Sequence, residues 1–531
     1  MIINYFFMKI MKKNYLKYLG VFFLFFAIFF GWHAMHTGLL GTDDPYYHAK
    51  HSYLMAASGN FTLVEPWVPF HFLTTAPADL WWLYHVIVAV FIKFCGIIWG
   101  AKIWSAVCAA SVFAVFYFIL KQLKVFYPFV WTWLLFISSA TFTVRLLFER
   151  PFVLSIALIP LCFYFIYQRK YWLLFFTSII YTLVYELAPI ILLLVVVFLA
   201  VDWCLTKEIN LRPLIFFLGG LTVGIIIHPQ ALHYMYAMYE VLWRTGWFVI
   251  SGVNLNTGAE IQLHSFRYFL ESNIIIFLFY IISVALFAEM FLIKKSSRLQ
   301  FSLFLVSFIW FLVAIAIPRG TEYWLPLGCL FVAVTFYQVA CSSDWTIARQ
   351  FMQTRIKASL VLFFIYGVIL VFASYNMFAV FTVLRERNQN DADIYYQEAN
   401  DWLIKNTSQN SVVFYPVWSM WPQMFFYNSH NRYLTAFGPE FLYEYNHEIY
   451  YIWANISYHG VYCQHEWPCL ELSPRQEMEA VKLGLKNILD SKIVVVPNIK
   501  NTSLYGILDE FKEDYEKVYE NKELVIFSII P

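Results

Sequence analysis

The decapeptide GTDDPYYHAK, residues 41–50, sets Asp43 and Asp44 side by side and follows them with Tyr46, Tyr47, His48 and Lys50. Carboxylates on a loop are usually just solvated. Neighbouring hard oxygens are also what Mg²⁺ or Mn²⁺ takes, provided other segments complete the coordination shell. Two further segments offer acids: Glu149 in RLLFERPF, between Arg145 and Arg150, and Glu260 in NLNTGAEIQLHS, three residues past Thr257. Long polar stretches of the second kind are often functional. Arg319, in IPRGTEYWLP, puts a fixed cation beside apolar sequence, where charge is costly and usually paired. Glu322 is its expected counter-ion. A guanidinium there is also well shaped for a phosphate, with His228, at the end of another apolar run, as a further neighbour.

These residues need elements to bring them together, and composition says what kind. Of 531 residues, 61% are hydrophobic and only 13% charged, far from the averages of soluble domains. Apolar runs of roughly 17 to 25 residues recur to about Val380, each long enough to cross a ~30 Å hydrocarbon core as a helix. A β-barrel would show ~10-residue alternating strands instead. The net charge of +2 gives no argument for a nucleic-acid partner. Helical spans are predicted near 18–37, 101–120, 126–143, 152–167, 171–186, 187–204, 212–228, 270–293, 299–317, 322–340 and 358–380. The first is a retained anchor, because no small-residue cleavage pattern follows it.

Basic clusters at Lys9 to Lys17, Lys121/Lys124, Arg169/Lys170, Lys207/Arg212, Lys294/Lys295/Arg298 and Arg349/Arg355/Lys357 are placed inside by the positive-inside rule. Residues 80–98 are read as a helix lying on the outer surface, since a crossing there would turn the later basic loops outward. A transmembrane domain over 1–380 follows, with outer loops at 38–100, 144–151 and 229–268. Residues 381–531 turn polar and form an extracytoplasmic α/β domain. In it SVVFYPVW, KIVVVPN and ELVIFSII read as strands, and YYQEANDWLIKN and SLYGILDEFKEDYEKVYE as amphipathic helices. Cys463 and Cys469, in CQHEWPC, are placed to close a small disulfide loop in an oxidising compartment. The fold class is therefore a polytopic α-helical membrane protein of about 11–13 spans with a C-terminal mixed α/β domain.

The string DDPYYHAKHSYLMA resembles the first outer loop of the oligosaccharyltransferase catalytic-subunit family, glycosyltransferases of the GT-C fold. The likeness continues in order. FERP stands at the family's second acidic motif, TGAE at its TxxE motif, Arg319 with Tyr323 and Pro326 at its phosphate-contacting element, and DWLIKNTSQNSVVFYPVW at the lead into its WWDYG acceptor motif. There the pattern departs, because Val417 to Trp421 read VWSMW and the motif's Asp is absent. The resemblance implies that Asp44, rather than Asp43, joins Glu149 and Glu260 in holding Mg²⁺ or Mn²⁺. Asp44 and Glu260 are then catalytic. Arg319, Arg145 and Arg150 meet the donor phosphate, and Tyr47, His48, Thr257 and His228 contact substrate.

The expected function is transfer of a glycan from a polyprenyl-(di)phosphate donor to a protein or glycan acceptor, at the outer face of a prokaryotic inner membrane. Two alternatives stand beside it. One is a GT-C transferase that uses a polyprenyl-phosphate monosaccharide, in the manner of mannosyltransferases. The other is a non-catalytic transporter or scaffold for a lipid-linked sugar. Transport is disfavoured because the charges lie in loops and no internal repeat is seen.

Overall fold

The computed structural model describes residues 2–41, 44–64, 67–245, 247, 255, 258, 260–342, 355–388, 392–470 and 472–530. The chain divides into two compact units. The first combines Met1–His36, Lys102–Ile227 and Ala259–Arg387; the second combines Thr37–Ala101, His228–Gly258 and Asn388–Pro531. The second unit thus joins the segment after the first apolar helix to the C-terminal residues, a grouping not foreseen from a boundary at 381.

The first unit is helical, because long apolar runs satisfy their backbone groups internally only as helices. Ten of the eleven expected spans correspond to single helices: Ile2–Ala34, Ile97–Gln122, Phe152–Tyr167, Tyr171–Val184, Ile191–Thr206, Arg212–Ile227, Phe266–Leu292, Arg298–Ala316, Gly320–Cys341 and Arg355–Asn388. The eleventh, expected over 126–143, is broken into Pro128–Ile137 and Ala140–Arg145. Two serines cause the break. Ser138 Oγ donates to the Leu135 carbonyl, and Ser139, in extended conformation, caps the second piece by accepting from the Phe142 amide. Among the described residues six helices are long and apolar enough to cross a membrane: Tyr15–Ala34, Ile97–Gln122, Ala188–Thr206, Phe266–Leu292, Arg298–Ala316 and Gly320–Cys341. Within 80–98 the helix is Trp82–Cys95, whose 14 residues reach only about 21 Å, short of the ~30 Å core.

One pair in this unit packs at unusually short range. In the sequence Gly220-Leu-Thr-Val-Gly224, a Cβ on Gly220 would lie 2.5 Å from the Phe175 carbonyl oxygen, and one on Gly224 would lie 2.7 Å from Thr182 Cβ. The small-xxx-small spacing lets helix Arg212–Ile227 press against helix Tyr171–Val184. At the basic ends of the helices Lys124, Arg169, Lys207 and Lys294 adopt positive φ and stop the turn. A cation there also faces the negative end of the helix dipole.

The second unit carries a five-stranded sheet in the order β2-β1-β3-β5-β4, with β1 Val412–Phe414, β2 Arg432–Tyr433, β3 Ser491–Pro497, β4 Tyr515–Glu520 and β5 Leu524–Ile529. β1 runs parallel to β2 and β3, and β5 runs antiparallel to β3 and β4. The three expected strands are β1, β3 and β5. The expected helix over 503–520 is instead helix Ser503–Glu510 followed by β4, because YEKVYE is recruited by the free edge of β5. Val412, Phe414, Val494, Val496, Val525 and Phe527 form one core face, and Val413, Tyr415, Val495, Leu524 and Ile526 the other.

Candidate functional site

In the first unit three arginines converge on one carboxylate. Arg145 ends helix Ala140–Arg145, Arg150 lies two residues before helix Phe152–Tyr167, and Arg319 is the N-cap of helix Gly320–Cys341. Glu260 lies in the turn ahead of helix Phe266–Leu292. Its Oε2 accepts from Arg145 at 2.8 Å and from Arg150 at 3.2 Å, and its Oε1 accepts from Arg319 at 3.1 Å. Its backbone carbonyl accepts from the Arg319 amide at 3.1 Å, which fixes the turn to the helix start. Arg319 also donates to the Tyr185 hydroxyl at 2.6 Å. The guanidiniums of Arg145 and Arg150 lie over the Phe152 ring, at 4.9 and 5.3 Å.

Electrostatically the cluster is an anion site already holding an anion. Burial would push the Glu260 carboxyl up, but Arg150, Arg319 and Arg145 hold it well below the usual carboxylate range. Glu322 pairs with Arg145 and also lies in the field of Arg319, its expected counter-ion. Arg145, Arg150 and Arg319 thus surround Glu260, with Glu322 beside Arg145, and two of the three arginines stand at helix N-termini, whose dipoles add positive field. A divalent cation held by Glu260, the role expected of it from the sequence, would share that carboxylate with three guanidiniums.

Glu149 is elsewhere in the same unit, buried and 3.3 Å from His33 Nδ1. Lys102, also buried, donates to the carbonyls of His33 and His36 at the end of the first helix. Asp44 opens helix Asp44–Ser58 of the second unit and is half-buried. Asp43 and Thr257 lie outside the described residues.

The same helix of the second unit carries the expected substrate contacts Tyr47 and His48 inward. Tyr47 is buried among Trp81, Trp421 and Phe437, its ring centroid 4.7 Å from that of Phe437. It is therefore part of an aromatic core. His48 Nδ1 lies 2.8 Å from His85 Nε2, and the other nitrogen of His85 lies 2.8 Å from Asp79 Oδ2. His51, one turn on from His48, brings Nε2 to 3.4 Å from the same carboxylate oxygen. Burial would raise the Asp79 carboxyl, yet His85 and His51 hold it well below its ordinary value. His228, also buried, completes the surround. Its Nδ1 accepts from the Gln230 amide, which leaves Nε2–H to donate to the Asp79 carbonyl at 2.9 Å.

One ligand atom each from His51, Asp79 and His85 lies within 4.8 Å of the others, the one His/Cys/Asp/Glu group among the described residues able to hold a metal ion. Two imidazoles and a carboxylate suit zinc or a similar transition metal, whereas Mg²⁺ prefers all-oxygen sets. This mixed nitrogen and oxygen group is distinct from the carboxylate set Asp44, Glu149 and Glu260 expected from the sequence. The signals were present, as two histidines at i and i+3 on one helix and Asp-x5-His nearby. Nothing in the sequence joined them across the intervening loop.

The segment that stands at the acceptor motif is also structural. Trp418–Met420 form a 3-10 turn leading into helix Trp421–Tyr427, and Trp421 is buried, stacked on Phe425 with centroids 5.4 Å apart. Cys463 and Cys469 form a disulfide with Cα atoms 6.0 Å apart.

Apolar helices followed by a C-terminal mixed sheet give the chain a GT-C-like fold. Two solved structures of ArnT from Cupriavidus metallidurans, one bound to undecaprenyl phosphate and one in the apo state, match it with TM-scores of 0.52. They are 13% and 11% identical to it in sequence, and each match covers 98% of both chains. The likeness is one of fold. No family model matches the chain, and no curated protein matches it in sequence.

Proposed function

We propose that the chain is a membrane glycosyltransferase whose donor is a sugar on a polyprenyl phosphate, with Arg145, Arg150 and Arg319 binding the phosphate. The observation that carries this reading is the convergence of three guanidiniums on Glu260 at the ends of apolar helices. In transfer the bond from anomeric carbon to phosphate oxygen breaks and one to an acceptor oxygen forms. The departing polyprenyl phosphate gains charge, which prepositioned guanidiniums stabilise without reorganising. Glu260 is the internal anion that the donor phosphate displaces. Asp44 keeps the acceptor-side role that its motif implies.

The monophosphate donor is favoured over an oligosaccharyltransferase-like reaction for two reasons. The fold neighbour ArnT was crystallised with undecaprenyl phosphate. The segment at the place of the sequon-reading motif, VWSMW, lacks that motif's Asp, with Ser419 and Met420 standing there. A transporter is disfavoured because the charges gather at helix ends rather than mid-helix. We place this cluster and the second unit on the extracytoplasmic side, a reading that the disulfide supports. The triad His51, Asp79 and His85 is assigned to a transition-metal ion that braces helix Asp44–Ser58.

The test is transfer from a polyprenyl-phosphate sugar in proteoliposomes. Arg319→Ala and Arg150→Ala should each lower turnover by roughly 10²-fold while the protein remains monodisperse. Full activity in both variants would sink the donor site.

A further inference from the structure

We infer that the first unit holds a second anion site, one that takes the headgroup of an anionic phospholipid. The site is a pocket of about 400 Å³ lined by Arg169, Lys170, Tyr171, Trp172, Arg212 and Phe216, together with Leu173. Three of these residues are cationic and none is acidic. It lies at the far end of helix Phe152–Tyr167 from the arginine cluster. Arg150 precedes that helix and Arg169 follows it, so its 16 residues separate the two by about 24 Å. A donor phosphate held by Arg145, Arg150 and Arg319 therefore cannot reach it.

Its construction fits a lipid better than a free anion. Asn210 donates to the Tyr171 hydroxyl at 2.6 Å and accepts from the Arg212 amide at 3.2 Å, tying the two helix starts together. Trp172 packs edge-on against Phe216 with centroids 4.9 Å apart, giving the pocket an aromatic wall on one side. Tryptophan and tyrosine beside basic residues are the residue types of a membrane interface. From Leu173 at the pocket's edge, exposed apolar side chains continue as Phe176 and Ile180 on the same helix, with Ile215 and Leu218 on the next. They offer a surface for acyl chains directly continuous with the cationic pocket. Basic pockets between helices at this level are suited to anionic headgroups.

The test uses the delipidated full-length protein in detergent, offered phosphatidylglycerol, phosphatidylcholine or excess inorganic phosphate, with bound lipid counted by native mass spectrometry. Phosphatidylglycerol should be retained, phosphatidylcholine should not, and phosphate should fail to displace it. The triple variant Arg169→Gln, Lys170→Gln, Arg212→Gln should lose roughly tenfold or more of the retained phosphatidylglycerol. Arg169→Lys with Arg212→Lys, which keeps the charge, should retain it. Equal retention in the glutamine variant would place the lipid elsewhere and overturn the inference. Equal binding of phosphatidylcholine would reduce the site to apolar adhesion, and displacement by phosphate would make it a free-anion site; either result also overturns it. All three side chains are exposed. Should the triple variant nevertheless fail to fold, Arg212→Gln alone is read against the same outcomes.

Discussion

Glu260 is the residue on which the proposed donor site turns, because it ties the arginine cluster together and, in that proposal, competes with an incoming phosphate. Glu260→Gln removes that competitor, so the protein should bind a polyprenyl phosphate more tightly, by roughly fivefold, while its thermal midpoint falls as three guanidiniums lose their partner. Binding and melting measured on the same sample separate the two effects, and weaker binding would refute the competitor role. The pH dependence has a fixed sign. The folded carboxyl is held below the ordinary 4.5, so its stabilisation is complete above that pH and is lost as pH falls through the lower folded value. Stability in detergent should therefore be flat from neutral pH to about 5 and decline below about 4.5, and the decline should be shallower in the Glu260→Gln variant, where depressed carboxyls such as Asp79 still contribute. For His51, Asp79 and His85, purified protein should carry about one equivalent of a transition metal, lost in His51→Ala and His85→Ala, with chelation lowering the thermal midpoint. Metal analysis of wild type and variants decides it. Much at this scale was legible in the sequence: Arg145, Arg150, Glu260 and Arg319 were picked out by charge beside apolar runs. Their pairing was not, since which carboxylate meets which arginine depends on loops 59 to 177 residues apart in the chain.

At the scale of elements the apolar runs predicted nearly every helix of the first unit, because hydropathy fixes where a chain can be helical in lipid whatever it packs against. The misses came where local chemistry competed. Ser138 and Ser139 broke a run that hydropathy alone would have kept whole, and YEKVYE, charged enough for a helix surface, found a strand partner in β5. Contact distance between helices is the other quantity that hydropathy does not report, and the glycines carry it. Gly220→Val would force a branched side chain against the Phe175 carbonyl and Ser178, and should destabilise the protein by about 1–3 kcal/mol. Gly219→Ala places a Cβ at an ordinary 3.4 Å from the Phe175 ring and should be close to neutral. Thermal unfolding of the two variants in one detergent is the comparison. Equal midpoints would mean that the helix pair does not depend on its glycines.

For the whole molecule the open quantity is sidedness, and the cysteines can report it. Cys204 lies near the end of helix Ile191–Thr206 and Cys341 ends helix Gly320–Cys341; both are exposed, free thiols in the first unit. Their neighbours Lys207 and Arg298 belong to the basic ends, which the positive-inside rule assigns to the cytoplasm. Cys463 and Cys469 are disulfide-bonded in the second unit, and a disulfide persists where glutathione does not reach. Charge bias and redox compartment are the two grounds for the proposed orientation, in which the helix ends at Arg150 and Arg319 and the polar C-terminal residues are outside. A membrane-impermeant maleimide applied to cells whose inner membrane is intact should leave Cys204 and Cys341 unmodified. It should label Cys463 and Cys469 only after an impermeant reductant has opened the bridge. Permeabilising the inner membrane should then expose Cys204 and Cys341 without any reductant. The reverse pattern would put the arginine cluster in the cytoplasm, where a donor delivered to the outer leaflet would never meet it.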